Sequence, residues 1–176
     1  SGMSFAWLKS RLHSMNPPLR HRKYLITGAS GYVGGRLVRA FVDDKEDVRI
    51  LVRDKNKIMG QPWATQVEIC EGSAENFSDL QRALEGVHTA FYLLHSINLG
   101  PHFDEIESEM ARNFAKAAEL AGVSQIIYLG GIANDANISK HLASREMTGK
   151  SLATTSVAVL ELRAGIIIGS GSASFE

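Results

Sequence analysis

The chain has 176 residues, 44% hydrophobic and 22% charged, with Lys+Arg and Asp+Glu balanced at 19 each. That length supports one substantial core, and with a net charge of zero nothing suggests a polyanion partner such as DNA. The lone cysteine, Cys70, excludes a disulfide framework and a multi-cysteine metal site and fits a reducing cytoplasm; no apolar run reaches the roughly 18 residues of a membrane-spanning helix, and no signal peptide is evident.

Ser1-Gly2 ahead of Met3 reads as a tag remnant and is set apart from the fold. Residues 3–22 form a basic arm carrying Lys9, Arg11, Arg20 and Arg22 and no acidic residue. Phe5, Trp7, Leu8, Leu12 and Met15 give it a ragged apolar face that ends at Pro17-Pro18. Such a segment suits packing on its own domain or on a neighbouring copy better than a membrane surface, because its apolar area is small. Self-association is left open.

From residue 23 onward strands and helices alternate, and the expectation is one domain over 23–176. Tyr24-Leu25-Ile26 is a short apolar strand, and Val33, Leu37, Val38, Phe41 and Val42 recur at helical spacing after it. Val48 to Val52 and Val67 to Cys70 read as the second and third strands. A short helix with Phe77, Leu80 and Leu84 inward ends at Gly86, which suits a left-handed C-cap. Ala90 to Leu94 is near-continuously apolar, as a parallel strand covered on both faces should be. The longest helix runs from about Phe103 to Ala121, with Ile106, Met110, Phe114, Ala117 and Leu120 on one side and Gly122 closing it. Gln125 to Leu129 is the fifth strand, a helix spans about Ile138 to Leu152, and Val157 to Ile168 contains the sixth strand. Strands alternating with helices imply an α/β fold with a parallel sheet and right-handed crossovers. Six of them imply a doubly wound, Rossmann-type sheet in the order 3-2-1-4-5-6.

Between the first strand and its helix lies Thr27-Gly28-Ala29-Ser30-Gly31-Tyr32-Val33-Gly34. Gly28 permits the tight turn, Gly31 lets backbone approach a pyrophosphate, and Gly34 allows close packing of helix on sheet. The helix that follows aims its N–H groups and positive dipole end at phosphate. Gly28, Ser30, Gly31, Tyr32, Val33 and Gly34 are therefore the expected dinucleotide-binding loop. At the end of the second strand an acidic residue would hold the ribose 2′-hydroxyl of NAD. Here Val52 is followed by Arg53, which suits the 2′-phosphate of NADP as a planar fork, with Lys55 adding charge. NADP(H) is thus favoured over NAD(H), with Asp54 able to pair with either neighbour.

On these residues the chain resembles the short-chain dehydrogenase/reductase superfamily. Thr27-Gly28-x-x-Gly31-x-x-Gly34 is similar to the extended and atypical branches, which include nucleotide-sugar epimerases and NmrA-like proteins. Leu51-Val52-Arg53-Asp54, Tyr128-Leu129-Gly130-Gly131 and Leu162-Arg163-Ala164-Gly165 follow in the expected order, and the resemblance covers about residues 23 to 176. It implies cofactor contacts after the third strand, commonly through an aspartate; this chain has Gly72-Ser73 there. It implies others at the end of the fourth, where Leu94, His95 and Ser96 border ribose and pyrophosphate and His95 serves either as a hydrogen-bonding group or as a strand cap.

The resemblance further implies a tyrosine acid/base and a lysine at i, i+4 on the helix after strand five, with a serine or threonine at that strand's end. The corresponding residues here are His141 and Arg145, and the strand ends in Gly130-Gly131. Either His141 is an acid/base suited to neutral pH with Arg145 holding ribose or phosphate, or the catalytic set is lost and the domain is an NADP-reading sensor or scaffold, as the NmrA-like proteins suggest. Tyr128 falls inside a strand, where an aromatic is core, and Asn113 resembles an asparagine that the family uses structurally. The reaction implied for a whole enzyme is hydride transfer at a carbonyl or hydroxyl of an unspecified small molecule. Because the chain stops just after strand six, the C-terminal substrate portion of extended members is expected to be missing from it.

Overall fold

The computed structural model describes residues 22–94, 103–131 and 140–164. Within them the chain runs β1 (Lys23–Thr27), α1 (Tyr32–Asp43), β2 (Asp47–Val52), β3 (Glu68–Glu71), α2 (Phe77–Leu84), β4 (Thr89–Tyr92), α3 (Phe103–Leu120), β5 (Gln125–Gly131), α4 (Lys140–Leu152) and β6 (Ala158–Ala164). The six strands form one sheet in the order β3-β2-β1-β4-β5-β6, and all five pairings are parallel. This is the doubly wound arrangement expected from the alternation of elements.

Side chains alternate across the sheet as strand geometry requires. Tyr24 and Ile26, Val48, Ile50 and Val52, Phe91 and Ile127 share one buried cluster with Leu37 and Val38 of α1. Leu25, Leu51, Ala90, Tyr92, Ile126 and Tyr128 point the other way, into the cluster formed with α2, α3 and α4. The connection from β2 to β3 contains two single 3₁₀ turns, Lys55–Lys57 and Ala64–Gln66. Beside them Ile58, Trp63 and Ala64 are buried against the α1 cluster, so this segment takes the place of a covering helix.

Several boundaries differ from the sequence reading. β3 is Glu68–Glu71 and β4 ends at Tyr92 rather than Leu94. Gly86 and Gly122 do adopt positive φ, 71° and 72°, after α2 and α3. The buried face of α3 only partly matches the expected one: Phe114 and Ala117 are buried and Met110 packs against the core as expected. Ile106 and Leu120 are exposed, whereas Glu107, Ser108, Ala111, Phe114, Ala115 and Ala118 are buried. The helix lies on the sheet with α2 and α4 beside it, and its small residues allow that close approach. Ile106, Asn113 and Leu120, spaced by seven, fall on the outward stripe.

Two polar devices fix the helices on this face. Arg49, buried on β2, donates from Nη1 to the Ala83 and Glu85 carbonyls at 2.8 and 2.7 Å, capping the end of α2. Its Nε forms an ion contact with Glu68 Oε1 at 2.9 Å, and Lys23 Nζ donates to Glu68 Oε2 at 2.6 Å. Burial pulls the Glu68 carboxyl upward, but these two cations outweigh it and hold it below its ordinary value. At the end of α3, Glu119 accepts from Lys116 Nζ at 2.9 Å and from Ser156 N and Oγ at 3.2 and 2.9 Å.

Those donors, Lys116 first, bring the Glu119 carboxyl from 4.5 down to about 2. A depressed carboxyl contributes stability above its unfolded value and loses it as pH falls through the folded one. Glu119→Gln is therefore expected to lose less melting temperature than the parent between about pH 6 and about pH 2. Equal losses measured by calorimetry would remove Glu119 from the acid response.

Candidate functional site: a phosphate cradle at the carboxyl edge of the sheet

The end of β1 is tied to β4 before the chain turns. Thr27, fully buried, donates from Oγ1 to the Phe91 carbonyl at 2.8 Å and accepts from the Leu93 N–H at 3.2 Å. This clasp brings Gly28 so close to β4 that a Cβ there would lie 2.6 Å from the Leu93 carbonyl oxygen, and its φ of +71° is itself a glycine conformation. The Gly31 N–H returns to the Gly28 carbonyl at 3.0 Å. Gly31 then serves as the N-cap of α1 in extended conformation, with no side chain capping the helix. A Cβ on Gly34 would penetrate the Gly28 carbonyl, lying 2.7 Å from its carbon and 3.0 Å from Ala29 Cα.

The consequence is electrostatic. The first intrahelical bond of α1 runs from Gly35 N to Gly31 O at 2.9 Å, so the amides of Tyr32, Val33 and Gly34 have no acceptor within the helix. Together with the positive dipole end they form a site for an anionic group such as a pyrophosphate. Ser30 is exposed at the rim. Tyr32 is half-buried, and the Arg36 guanidinium lies 3.6 Å above its ring. A cradle whose critical positions lack Cβ atoms, at the start of a helix with no side-chain cap, fits a dinucleotide pyrophosphate.

Beside the loop, the ends of β2 and β3 carry the charged groups. Arg53 is exposed and makes no ion pair or hydrogen bond with the described residues. Asp54 pairs with neither neighbour: its side chain accepts from Asn56 N at 2.9 Å and caps the first 3₁₀ turn. Lys55 is engaged by Glu71, whose Oε1 accepts the Lys55 N–H at 3.3 Å and whose Oε2 lies 3.9 Å from Nζ. The Gly72 N–H continues to the Val52 carbonyl at 2.9 Å. Ser73 donates its N–H to Asp79 Oδ2 at 3.0 Å and accepts on Oγ from Glu75 N at 3.2 Å. A Cβ on Gly72 would meet the Asp79 carboxylate at 2.7 Å. The Ser73 N–H bond, followed by the Arg82 ion pair, holds the Asp79 carboxyl below its usual range.

Asp79 and Glu71 were missed in the sequence, and Thr27 was named in the loop motif without its role as a clasp to β4. For Asp79 a signal existed: Asn76-x-x-Asp79 has capping-box spacing, and Asn76 does cap α2 by accepting from Ser78 N at 3.0 Å.

On the opposite face α4 packs over β5 and β6. Tyr128 is fully buried; its hydroxyl donates to the Arg145 carbonyl at 2.9 Å and also hydrogen-bonds the Thr148 side chain. Burial pushes this phenol up to about 12, so Tyr128 fastens β5 to α4, as the core reading expected. A Cβ on Gly149 would lie 3.4 Å from the Tyr128 ring, and Arg145, one turn earlier, is half-buried. Glu161 of β6 fills the space beside Gly130, with its Cδ 3.1 Å from where a Cβ would stand. The position where the family resemblance implies a serine or threonine is thus bordered by a carboxylate. His141 belongs to α4, one turn before Arg145; its side chain lies outside the described residues, as do His95 and Ser96. Leu94 is half-buried two residues beyond β4. Because α1 and α4 cover opposite faces, a ligand reaching both the loop and Arg145 must lie over the carboxyl edge of β1, β4 and β5.

A parallel sheet in this order with a bare phosphate cradle after β1 is the architecture of a dinucleotide-binding, Rossmann-type domain. The sequence matches the NAD(P)H-binding family over residues 28–164, and the chain belongs to that family. It is 27% identical over 148 residues to a ceramide reductase of Caulobacter vibrioides, covering 83% of this chain and 46% of that protein. It superposes on the NADP(H) complex of Citrobacter sp. triphenylmethane reductase with a TM-score of 0.64 and 26% identity, over 81% of this chain and 49% of that one. A nucleoside-diphosphate-sugar epimerase of Staphylococcus aureus shares the fold, with a TM-score of 0.67 and 24% identity over 81% and 50% of the two chains. The chain spans about half the length of these relatives. Among the described residues no helix is long and apolar enough to cross a membrane.

Proposed function

We propose that this domain prefers NADP(H) to NAD(H) and serves an oxidoreductase or epimerase-like enzyme acting on a carbonyl or hydroxyl group. The observation that carries the cofactor preference is Arg53: an exposed guanidinium without a partner among the described residues, directly after Val52 where β2 ends beside the cradle. A guanidinium offers a phosphate two parallel N–H donors, and a ribose hydroxyl gains little from it. The NADP(H) complex of the triphenylmethane reductase, a protein of the same fold, supports this reading.

Calorimetric titration of the full-length protein with NADPH and NADH tests it. Removing a charge-assisted bidentate contact is worth about 1.5–3 kcal/mol, so Arg53→Ala is expected to raise the NADPH dissociation constant about 10- to 100-fold and the NADH constant far less. Equal affinity of the unaltered protein for the two nucleotides would sink the preference.

For the chemistry, the bound nicotinamide supplies or accepts hydride, and the chain's own groups orient the substrate and move its proton. His141 and Arg145, one turn apart on α4, are the residues we assign to those tasks, with the histidine as acid/base and the arginine holding ribose or phosphate. The likeness to a ceramide reductase supports a reductive reaction. NADPH consumption over a panel of ketones and aldehydes, with His141→Ala and Arg145→Ala, checks the assignment. Activity lost with nucleotide affinity kept supports His141, and unchanged turnover removes it from the mechanism.

A further inference from the structure

We propose that Glu71 is a specificity-determining residue that weakens the grip of this site on a 2′-phosphate by neutralising Lys55. The inference rests on the assignment of Arg53 to that phosphate. Glu71 ends β3, directly beside Val52 in the sheet register. From there its carboxylate turns to the β2–β3 connection and engages Lys55 twice, at the backbone N–H and at Nζ. Of the three cations that follow β2, Arg53, Lys55 and Lys57, Lys55 is therefore matched by a carboxylate while Arg53 has no partner among the described residues. A dianionic phosphate approaching Arg53 therefore gains no unbalanced charge from Lys55, and the Glu71 carboxylate opposes it.

Both partners are about half exposed, so the pair is weak and separable. The carboxylate still acts on an anion through water at short range. The 3₁₀ turn does not depend on Glu71 alone, because Asp54 caps it independently. Removing the charge of Glu71 thus leaves the connection in place, frees Lys55 and deletes a repulsion. NADH, lacking the phosphate, is indifferent to both changes.

The test is the ratio of NADPH to NADH dissociation constants, titrated in the full-length protein, in its Glu71→Gln and Lys55→Ala variants, and in the double variant. Glu71→Gln is expected to shift the ratio toward NADPH by roughly three- to tenfold, the scale of one nearby charge in water. Lys55→Ala is expected to weaken NADPH more in the Glu71→Gln background than in the native one, because only there is the ammonium unopposed. Glu71→Ala moves the ratio the same way and replaces the glutamine variant if that is not recovered.

An unchanged ratio in Glu71→Gln, or a shift toward NADH, overturns the inference. So does proportional weakening of both nucleotides, which would make Glu71 only a prop for the connection. If the unaltered protein does not distinguish the nucleotides but Glu71→Gln gains NADPH, the preference proposed for Arg53 fails and the role of Glu71 stands. If neither nucleotide binds, both fall.

Discussion

Gly34→Ala is expected to abolish nucleotide binding and to lower the melting temperature by roughly 5–10 °C. The added methyl would enter the Gly28 carbonyl group and press on Ala29 Cα, and the three atoms nearest to it all belong to backbone. No side chain can rotate away, so either α1 moves off the sheet or the loop opens. Overpacking of this kind costs about 1–3 kcal/mol, and about 2–4 °C accompanies each kcal/mol in a domain of this size. Binding is hit harder than stability because the displaced atoms are those that aim the Tyr32, Val33 and Gly34 amides. Gly60→Ala is the control: nothing lies within 4 Å of a Cβ there, and its effect is expected within about 0.5 kcal/mol. Wild-type affinity in Gly34→Ala, read by titration, would show that the helix does not approach the loop as described.

The second large effect is expected far from the cradle. Arg49→Met should destabilise the domain by about 2–4 kcal/mol, measured by denaturant titration. The arginine is 8% exposed and serves two clients, the terminal carbonyls of α2 and the Glu68 carboxylate. Methionine replaces the apolar stem but leaves the carbonyls without a donor and Glu68 with Lys23 alone. Arg49→Lys is not expected to rescue, since one ammonium cannot span a carbonyl pair and a carboxylate in the fixed directions of a guanidinium. Lys23→Met, which removes a more exposed partner of Glu68, should cost about 1 kcal/mol or less. Equal effects of the two substitutions would mean that the capping of α2 is of no consequence.

Strand order and cradle were readable in the sequence because both follow from local pattern. Alternation of short apolar runs with helical periodicity leaves few parallel topologies, and glycine spacing marks where backbone must come close. Residues whose role arises between neighbouring strands were not readable. Glu71 meets Lys55 because Val52 and Glu71 share a register, and Glu161 stands beside Gly130 because β6 pairs with β5. Neither pairing distance is written in either segment alone. The misplacement of Ile106 and Leu120 on α3 has a different origin: both are strongly apolar, yet they are exposed while Phe114 and the alanines beside it fill the buried face. Trp63 and Ile58, which cover one face of the sheet without a helix, follow no period at all.

The cradle between β1 and α1 is specified by missing atoms. The donors it offers are amides that every residue except proline possesses, and what the sequence must guarantee at Gly28 and Gly34 is emptiness. A saturation scan of the loop should accordingly be lopsided. At Gly28 and Gly34 nearly every replacement fails for one steric reason, whatever its polarity, while exposed Ser30 accepts diverse replacements. Attempts to strengthen phosphate binding by adding functional groups inside the turn will fail. Improvement has to come from the rim, where Arg53, Lys55 and Glu71 still have side chains to exchange.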